Sequence, residues 1–519
     1  MLGVAAVLVG AFVSTINTRL TTVGLADIRG GLGLGFDEGT WFSTVFASSQ
    51  MIVCASAAWL SVVLGPRRLL LWSGAVFCFG SALVPLTRDP ATLLVLQFVR
   101  GLAVGSFIPA AIGFILRELP PRWWSWGLAA YAFRFVFSQN ITSAIEAFYG
   151  DHGLWPWMFW QNVVLTPIML VLVRFGMRRE PINIAMLRRG DWAGIVLIGA
   201  GLAFLYTALD QGNRLDWLNS GVVAGLLVAG GLLLAAFVAN ELLVKQPLID
   251  FKIVRQRNVW IPPMLIALYG FGATATAFVL PDYLTRIQAL RSLQIADMLD
   301  WIALPQIVLV PLAAWLLRYL DARLLFTAGL ALMAVGSWMT AGLTHDWAYA
   351  DFLLSQLVEA VGLALGITSL IIFGIANTTP AHMITVAAMI QIGRLLGNET
   401  GSAFIQTFVR TQQQVYSHLI GLNVSAGEGI VDERTTQLAL LLSDQAAGLA
   451  NSNGAAMLTL AALIRRESFV SAYIDAYWLI AWVLTAGLVL VLLLKPPPPN
   501  PLTPPRSRAA RVGATSTIA

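Results

Sequence analysis

The sequence predicts an all-α polytopic membrane protein. Of its 519 residues, 58% are hydrophobic and 11% are charged, whereas soluble domains carry about 25% charged residues. Every backbone polar group in lipid must be paired within the protein, so only helices and closed barrels can span a membrane. Long apolar runs of helical length recur along this chain, and they favour helices. The net charge of +5 gives no indication of nucleic-acid binding.

Fourteen spans are predicted from hydropathy and from charge and Pro/Gly punctuation. They lie near 3–25, 41–64, 68–86, 91–118, 123–149, 154–175, 192–210, 217–243, 258–284, 299–317, 323–343, 350–377, 381–410 and 470–494. An even number places both termini on one side of the membrane. Nineteen of the 32 lysines and arginines fall on that side and nine on the other, so the positive-inside rule predicts cytoplasmic termini.

The remaining composition argues against enzyme, cofactor and metal chemistry. Cys54 and Cys78 each lie in an apolar run, and the four histidines fall in loops or at span ends. No Cys/His cluster, phosphate loop or Ser/His/Asp set is recognisable, so we expect neither a metal site nor a cofactor. The N-terminus runs into the first span without a basic region or cleavage site, which predicts an uncleaved first helix.

The spans divide the chain into four parts. Six of the predicted spans lie within 1–180, two within 181–250 and six within 251–494. The helical period of the polar segment near 411–468 predicts a helical hairpin that projects outward between the last two spans. Seven prolines between 495 and 519 predict an extended, disordered cytoplasmic tail.

One stretch, Leu96–Pro109, places an arginine at mid-depth in an apolar span. An intramembrane charge costs roughly 2.5–3.5 kcal/mol on insertion scales, so Arg100 should face protein or a wet cavity. Gly101 and Gly105 share a helical face, which allows close approach of a neighbouring helix. A packing role around a snorkelling arginine is the alternative interpretation.

This stretch resembles the fourth-helix motif of the major facilitator superfamily, and other segments resemble its fourteen-span drug:proton antiporters of the EmrB/QacA type. The further motifs are Ala26-Asp27-Ile28, Glu38-Gly39-Thr40-Trp41, Trp157–Val163, Leu209-Asp210-Gln211-Gly212 and Pro247–Phe251 followed by Arg257-Asn258. The resemblance implies two six-helix bundles with two helices inserted between them, and alternating access around a midplane site. It also implies that the outward hairpin meets a periplasmic membrane-fusion adaptor and an outer-membrane channel in a Gram-negative cell.

The sequence departs from the family at two positions that matter for coupling. The Gly-Pro-x-x-Gly-Gly kink of helix five is replaced by Thr142–Ala147, which contains Glu146. The mid-membrane aspartate of helix one is replaced by Asn17, with Arg19 two residues on.

Seven charges fall inside predicted spans and, with Asn17, form the candidate substrate and coupling residues. They are Arg19, Arg100, Arg134, Glu146, Glu359, Arg394 and Glu399. Since an unpaired buried charge is costly, we expect Arg100 to pair with Glu146, and Arg394 with Glu399 or Glu359. Glu146 is either a protonatable switch or one half of a structural ion pair, and Arg134 either binds an anionic substrate group or is balanced by Glu146.

Taken together, the sequence predicts a proton-coupled efflux transporter of small amphipathic compounds in the bacterial inner membrane. The compounds would have an aromatic body, and the excess of cavity arginines favours an anion or zwitterion over a lipophilic cation. The alternatives are an uncoupled facilitator or exchanger of the same fold, and a non-transporting membrane receptor.

Overall fold

The computed structural model describes residues 1–120, 123–244, 247–376, 383–422, 424, 429–442 and 449–495. These residues form helices and short connections, without a strand among them. The predicted all-α polytopic fold is therefore confirmed. The predicted tail from 496 onward lies outside the described residues, as do parts of the predicted hairpin.

The helices are numbered in chain order. In the first half they are α1 Leu2–Val23, α2 Leu25–Leu32, α3 Phe36–Cys54, α4 Ala57–Leu64, α5 Pro66–Leu83, α6 Pro90–Val104, α7 Phe107–Glu118, α8 Trp124–Asp151 and α9 Trp157–Gly176. The middle part contains α10 Ile184–Arg189, α11 Trp192–Gly212 and α12 Gly221–Leu243. The second half contains α13 Phe251–Val254, α14 Arg257–Gly272, α15 Leu280–Arg286, α16 Ser292–Ala303, α17 Gln306–Leu316, α18 Ala322–Thr340, α19 Tyr349–Ala376, α20 Met383–Leu422, α21 Gly429–Leu442 and α22 Leu449–Leu492.

Eleven stretches among the described residues are long and apolar enough to cross a membrane, and a twelfth results if the bent pair α3 and α4 is one span. Helices α8 and α20, with 28 and 40 residues, are longer than the roughly 20 residues that a bilayer requires. They fall outside that set because their sequences are more polar. The count of fourteen spans thus stays a prediction.

Several spans are interrupted by local breaks. Helices α3 and α4 meet at an angle of 56°, and α6 gives way to α7 at Gly105 and Ser106, inside the stretch that carries Arg100. A π-helical turn, Ala275–Val279, connects α14 to α15. Such breaks free backbone groups, which is tolerated at membrane depth where protein surrounds them. At the α6–α7 break, the Ser106 hydroxyl donates to the Ala103 carbonyl at 2.9 Å.

The packing joins the two halves mainly through α8. Helix α1 packs against α8 and α9, and α3 packs against α6. From the first half, α8 reaches α16, α17 and α19 of the second half. Helix α11 lies against α3 and α20, whereas α12 packs on α11 and is largely unburied. The seam between the halves is therefore formed mainly by α8 on one side and by α16, α17, α19 and α20 on the other.

Candidate transport site

Arg100 on α6 is completely buried and is held by neutral side chains. Its Nε donates to Ser81 Oγ at 3.1 Å, its Nη2 to Asn17 Oδ1 at 3.0 Å, and its Nη1 to Gln97 Oε1. Asn17 on α1 also exchanges hydrogen bonds with Asn162 on α9, at 2.5 and 3.0 Å. Arg100 thereby connects α1, α5, α6 and α9.

Three aromatic rings complete the surroundings of Arg100. The guanidinium carbon lies 5.3 Å from the ring centre of Phe46, 5.2 Å from Phe77 and 5.0 Å from Phe159. Ring faces attract a cation, and more strongly where water is excluded. The charge of Arg100 is thus stabilised by amides, a hydroxyl and aromatic rings.

The expected ion pair between Arg100 and Glu146 is wrong. Glu146 lies near the end of α8 and is buried beside the carboxyl groups of Asp27 and Asp151. Beside Arg100, the acceptor is the neutral amide of Asn17 and not a carboxylate. The geometry thus gives Glu146 acidic neighbours in place of the predicted arginine.

Arg134 on α8 is also buried, and its contacts leave part of the guanidinium free. Its Nη1 donates to Thr15 Oγ1 at 2.5 Å, and its guanidinium carbon lies 4.4 Å from the ring centre of Tyr131. Nε and Nη2 have no hydrogen-bond partner. Balance by Glu146 is wrong as well, because twelve residues of α-helix separate the two by about 18 Å of rise.

Arg394 on α20 makes no ion pair with a carboxylate in the described part of the chain, so its predicted pairing with Glu399 or Glu359 is wrong. Its Nε donates to Gln391 Oε1 at 3.2 Å, and its guanidinium carbon lies 5.6 Å from the ring centre of Phe135. Glu399 follows five residues later, which turns it about 140° around the helix. Glu359 lies on α19, close to Tyr269 and Tyr477.

Glu359 is completely buried, and neither of its carboxyl oxygens has a hydrogen-bond partner. Tyr269 on α14 and Tyr477 on α22 lie within electrostatic range of its carboxyl group. The Tyr269 hydroxyl donates to the Leu363 carbonyl at 3.1 Å, whereas the Tyr477 hydroxyl has no partner. An unpaired ionised carboxylate is very costly in such surroundings.

Glu399 lies on the side of α20 that meets the inserted helix α11. Its carboxyl group lies close to the hydroxyl of Tyr206 and to the carboxyl group of Asp210. Asp210 accepts hydrogen bonds from Thr44 and, at 3.3 Å, from Gln211. Glu399 and Asp210 thus form a second pair of neighbouring acids, besides Glu146 and Asp27. The sequence did not predict this pair, because Asp210 was noted only as part of the motif Leu209-Asp210-Gln211-Gly212.

Arg19 on α1 reaches across to the second half. Its Nη2 donates to the Ala277 carbonyl, in the π-helical turn, at 2.7 Å, and its Nε has no partner. Arg19 thereby connects α1 to the α14–α15 junction.

Further site residues were not predicted. Ser81, Gln97 and Asn162 hold the Arg100 cluster, and Asp27 faces Glu146. Polar residues inside apolar spans are a usable signal, and Gln97 lies one helical turn before Arg100. Within the described residues, no group of three or more His, Cys, Asp and Glu side chains is arranged to hold a metal ion.

Comparison with known proteins identifies the fold. The chain is 23% identical to the multidrug export protein EmrB of Haemophilus influenzae, over 94% of each chain. It is 22% identical to the fatty acid resistance protein FarB of Neisseria gonorrhoeae, over 85% of this chain and 91% of that one. Its fold resembles that of the human organic anion transporter MFSD10, with a TM-score of 0.56 and 12% identity, over 93% of this chain and 99% of that chain.

These relatives confirm the resemblance to EmrB-type proteins that the motifs indicated. The solved structure with a similar fold is that of a transporter and not of an enzyme. The family model described as Major Facilitator Superfamily matches residues 7–402. The chain therefore belongs to the major facilitator superfamily.

Proposed function

We propose that the protein exports small amphipathic compounds across the bacterial inner membrane in exchange for protons. The observation that carries the proposal is a set of ionisable side chains that have no counter-ion among the described residues: the buried Arg134 and Glu359 and the half-buried Arg394. Uncompensated buried charges are expensive. A transporter that binds an ionic substrate and a proton in turn gives each of them a partner during its cycle.

The names of the relatives support the direction and the chemistry of transport. One is a multidrug export protein and another a fatty acid resistance protein, and a fatty acid is an amphipathic anion. Tyr131 and Phe135 lie beside the two seam arginines and offer ring faces to the apolar body of a substrate.

A periplasmic adaptor and an outer-membrane channel complete the proposal. Helices α20 and α22 have 40 and 44 residues, so each is about 60 Å or more in length, twice the hydrocarbon thickness. The excess extends beyond the bilayer and offers an adaptor a helical surface. With the termini in the cytoplasm, this surface faces the periplasm.

The test is transport by the purified protein in sealed vesicles. A panel of fluorescent amphipathic anions, zwitterions and cations is offered under an imposed pH gradient, and again after an ionophore has collapsed it. We expect gradient-dependent movement of anionic or zwitterionic members. Movement of the same compounds at equal rates with and without the gradient would reject proton exchange.

One observation favours the second candidate, an exchanger or facilitator without proton coupling. The family's aspartate in helix one is Asn17 here, and Asn17 is fully engaged with Arg100 and Asn162. An amide carries no titratable proton, so coupling has to use another carboxyl group. Stimulation of efflux by substrate on the opposite side, without any effect of pH, would identify this candidate.

A further inference from the structure

A buried arginine, Arg134, and a half-buried one, Arg394, lie close to each other although they come from different halves of the molecule. Arg134 comes from α8 and Arg394 from α20, and each lies within electrostatic range of the other. The ring of Phe135, the residue after Arg134, lies under the Arg394 guanidinium. The two positive charges therefore meet where the halves pack together.

Neither arginine has a counter-ion. No carboxylate of the described residues lies within ion-pair distance of either side chain. Two like charges in a low-dielectric environment repel each other, and each also loses hydration on burial. An anion that binds to both side chains would relieve this repulsion.

The free nitrogens of Arg134 have the geometry of an oxyanion fork. Nη1 is occupied by Thr15, whereas Nε and Nη2 are buried without a partner. The N–H bonds of these two nitrogens lie in the plane of the guanidinium and point outward from the same edge of it. They present the parallel pair of donors that binds a carboxylate or phosphate through two oxygens.

Arg100 shows that burial alone does not leave an arginine unsatisfied in this protein. All three nitrogens of Arg100 donate to neutral side chains, and three rings surround it. Arg134 has a single side-chain acceptor and one ring. The difference distinguishes a structural arginine from one that is open to a ligand.

We infer that Arg134 and Arg394 together bind the anionic group of an amphipathic substrate, while Tyr131 and Phe135 contact its apolar body. This inference rests on the proposed transport function and names the site and the charge of the substrate. Because each half contributes one arginine, a bound anion attracts both halves and stabilises the seam between them.

The test uses three naphthalene compounds that differ only in charge: 1-naphthoate, neutral 1-naphthamide and cationic 1-naphthylmethylamine. Binding to the full-length protein in phosphatidylcholine nanodiscs is measured by calorimetry, so no pH gradient or transport is needed. We expect naphthoate to bind about tenfold or more tighter than the amide, since hydrogen bonds to charged groups contribute about 1.5–3 kcal/mol.

Arg134→Gln and Arg394→Gln should each weaken naphthoate binding by about tenfold and leave amide binding unchanged. Arg134→Lys retains the charge without the fork, so it should fold normally and bind with intermediate affinity. The matched control is Arg318→Gln, which removes another partly buried arginine that lies 5.4 Å from a ring centre, that of Trp126. It should bind naphthoate as the wild type does.

Three results would overturn the inference. The first is equal binding of naphthoate and naphthamide, and the second is naphthoate binding that none of the three seam variants changes. The third is stabilisation by phosphatidylglycerol, lost in Arg134→Gln, without any binding of naphthoate, which would make a lipid headgroup the ligand. Failure of proton-driven transport in sealed vesicles with intact naphthoate binding would instead reject only the proposed coupling.

Discussion

The membrane-embedded arginines of this protein illustrate two ways of accommodating a buried cation. Arg100 is surrounded by acceptors that cannot be ionised, and Asn17 is the central one, since its Oδ1 accepts from both Arg100 and Asn162. Arg134 and Arg394 are left with few acceptors. The same residue type thus fastens helices in one place and leaves a binding capacity in another.

The buried carboxyl group of Glu359 leads to a prediction about coupling. Glu359→Gln retains the size and neutrality of a protonated glutamate but cannot release a proton, so we expect the variant to fold and to bind naphthoate. Its transport in sealed vesicles should no longer respond to a pH gradient. The measurement is the ratio of initial rates with and without the gradient, which should fall to about one.

The control for this prediction is Glu433→Gln, an exposed carboxylate on α21, which should retain the wild-type ratio. A Glu359→Gln protein whose rate still depends fully on the gradient would show that another carboxyl group carries the proton. The Asp27–Glu146 pair would then be the next candidate.

At the residue scale, sequence patterns located the intramembrane charges but assigned them wrong partners. Arg100 and Glu359 are buried as an isolated charge in an apolar run requires. Partner choice depends on how each helix is rotated and shifted along its axis, which hydropathy does not report. Asn17 and Gln97 are neutral, so a search for opposite charges passed over the side chains that hold Arg100.

Among the elements, the broken span α6–α7 depends on close packing against α3. A Cβ atom added at Gly101 would overlap Ser49 Oγ and the Phe46 carbonyl, and one at Gly105 would lie 2.8 Å from the Gln50 carbonyl. Both glycines were expected to permit close helix approach, and each lies against the backbone of α3. The span can therefore bring Arg100 close to Phe46 on the same neighbouring helix.

Gly101→Ala should accordingly destabilise the protein. The added methyl group forces α3 and α6 apart, and overpacking of this kind costs about 1–3 kcal/mol. Thermal unfolding of the purified variant should show a lower midpoint than the wild type. Gly113→Ala on α7 is the matched control, because nothing lies within 4 Å of its added Cβ. Equal midpoints for Gly101→Ala and Gly113→Ala would contradict the close packing.

The loop between the inserted helices α11 and α12 is attached to α20 by three hydrogen bonds. Between α11 and α12, Asp216 has a left-handed backbone with φ of 63° and accepts from Arg410 Nη2 at 3.1 Å. Arg410 Nη1 donates to the Asn213 carbonyl at 3.0 Å, and Trp217 Nε1 donates to Thr407 Oγ1 at 2.9 Å. The loop is thereby fixed to α20 near the position where that helix is expected to leave the membrane.

This attachment should be insensitive to pH in the physiological range. Hydrogen bonds from Asn219 and then from Arg410 lower the pKa of Asp216 below its ordinary value. A carboxylate with a lowered pKa contributes its stabilisation above the ordinary pKa of about 3.9, and loses it only as the pH falls through the lower folded value. Between about pH 5 and about pH 8, the contact should persist.

Arg410→Gln should release the loop at neutral pH. We expect faster amide hydrogen exchange over 213–219, whereas acidifying the wild type to about pH 5 should leave the corrected exchange unchanged. Arg434→Gln, on α21, removes an exposed arginine that contacts Gln437 within its own helix and should have no effect there. Loop exchange that Arg410→Gln does not alter would show that Trp217 alone fixes the loop.

For the molecule as a whole, composition was sufficient to predict the fold class. A chain with 11% charged residues has too few of them to cover an aqueous surface, so most of its helices must lie in lipid. The number of spans was harder to establish, because α8 and α20 carry the polar residues that face the seam and therefore have weak hydropathy. The placement of α11 against α3 and α20 depends on long-range packing that no local pattern records.

The final prediction concerns the long helices α20 and α22 and the adaptor. Replacing 412–462 by a short Gly-Ser linker leaves the Arg410 contacts in place, as well as Glu467, whose carboxylate lies 3.2 Å from His345 Nδ1. Since these contacts and the seam arginines lie outside the deleted segment, naphthoate binding should be retained. Co-purification with a co-expressed periplasmic adaptor should be lost because the helical surface beyond the bilayer is gone.

A variant that lacks 496–519, on the predicted cytoplasmic side, should retain the adaptor. If the shortened protein still captured the adaptor, the contact would have to lie on the membrane-embedded helices.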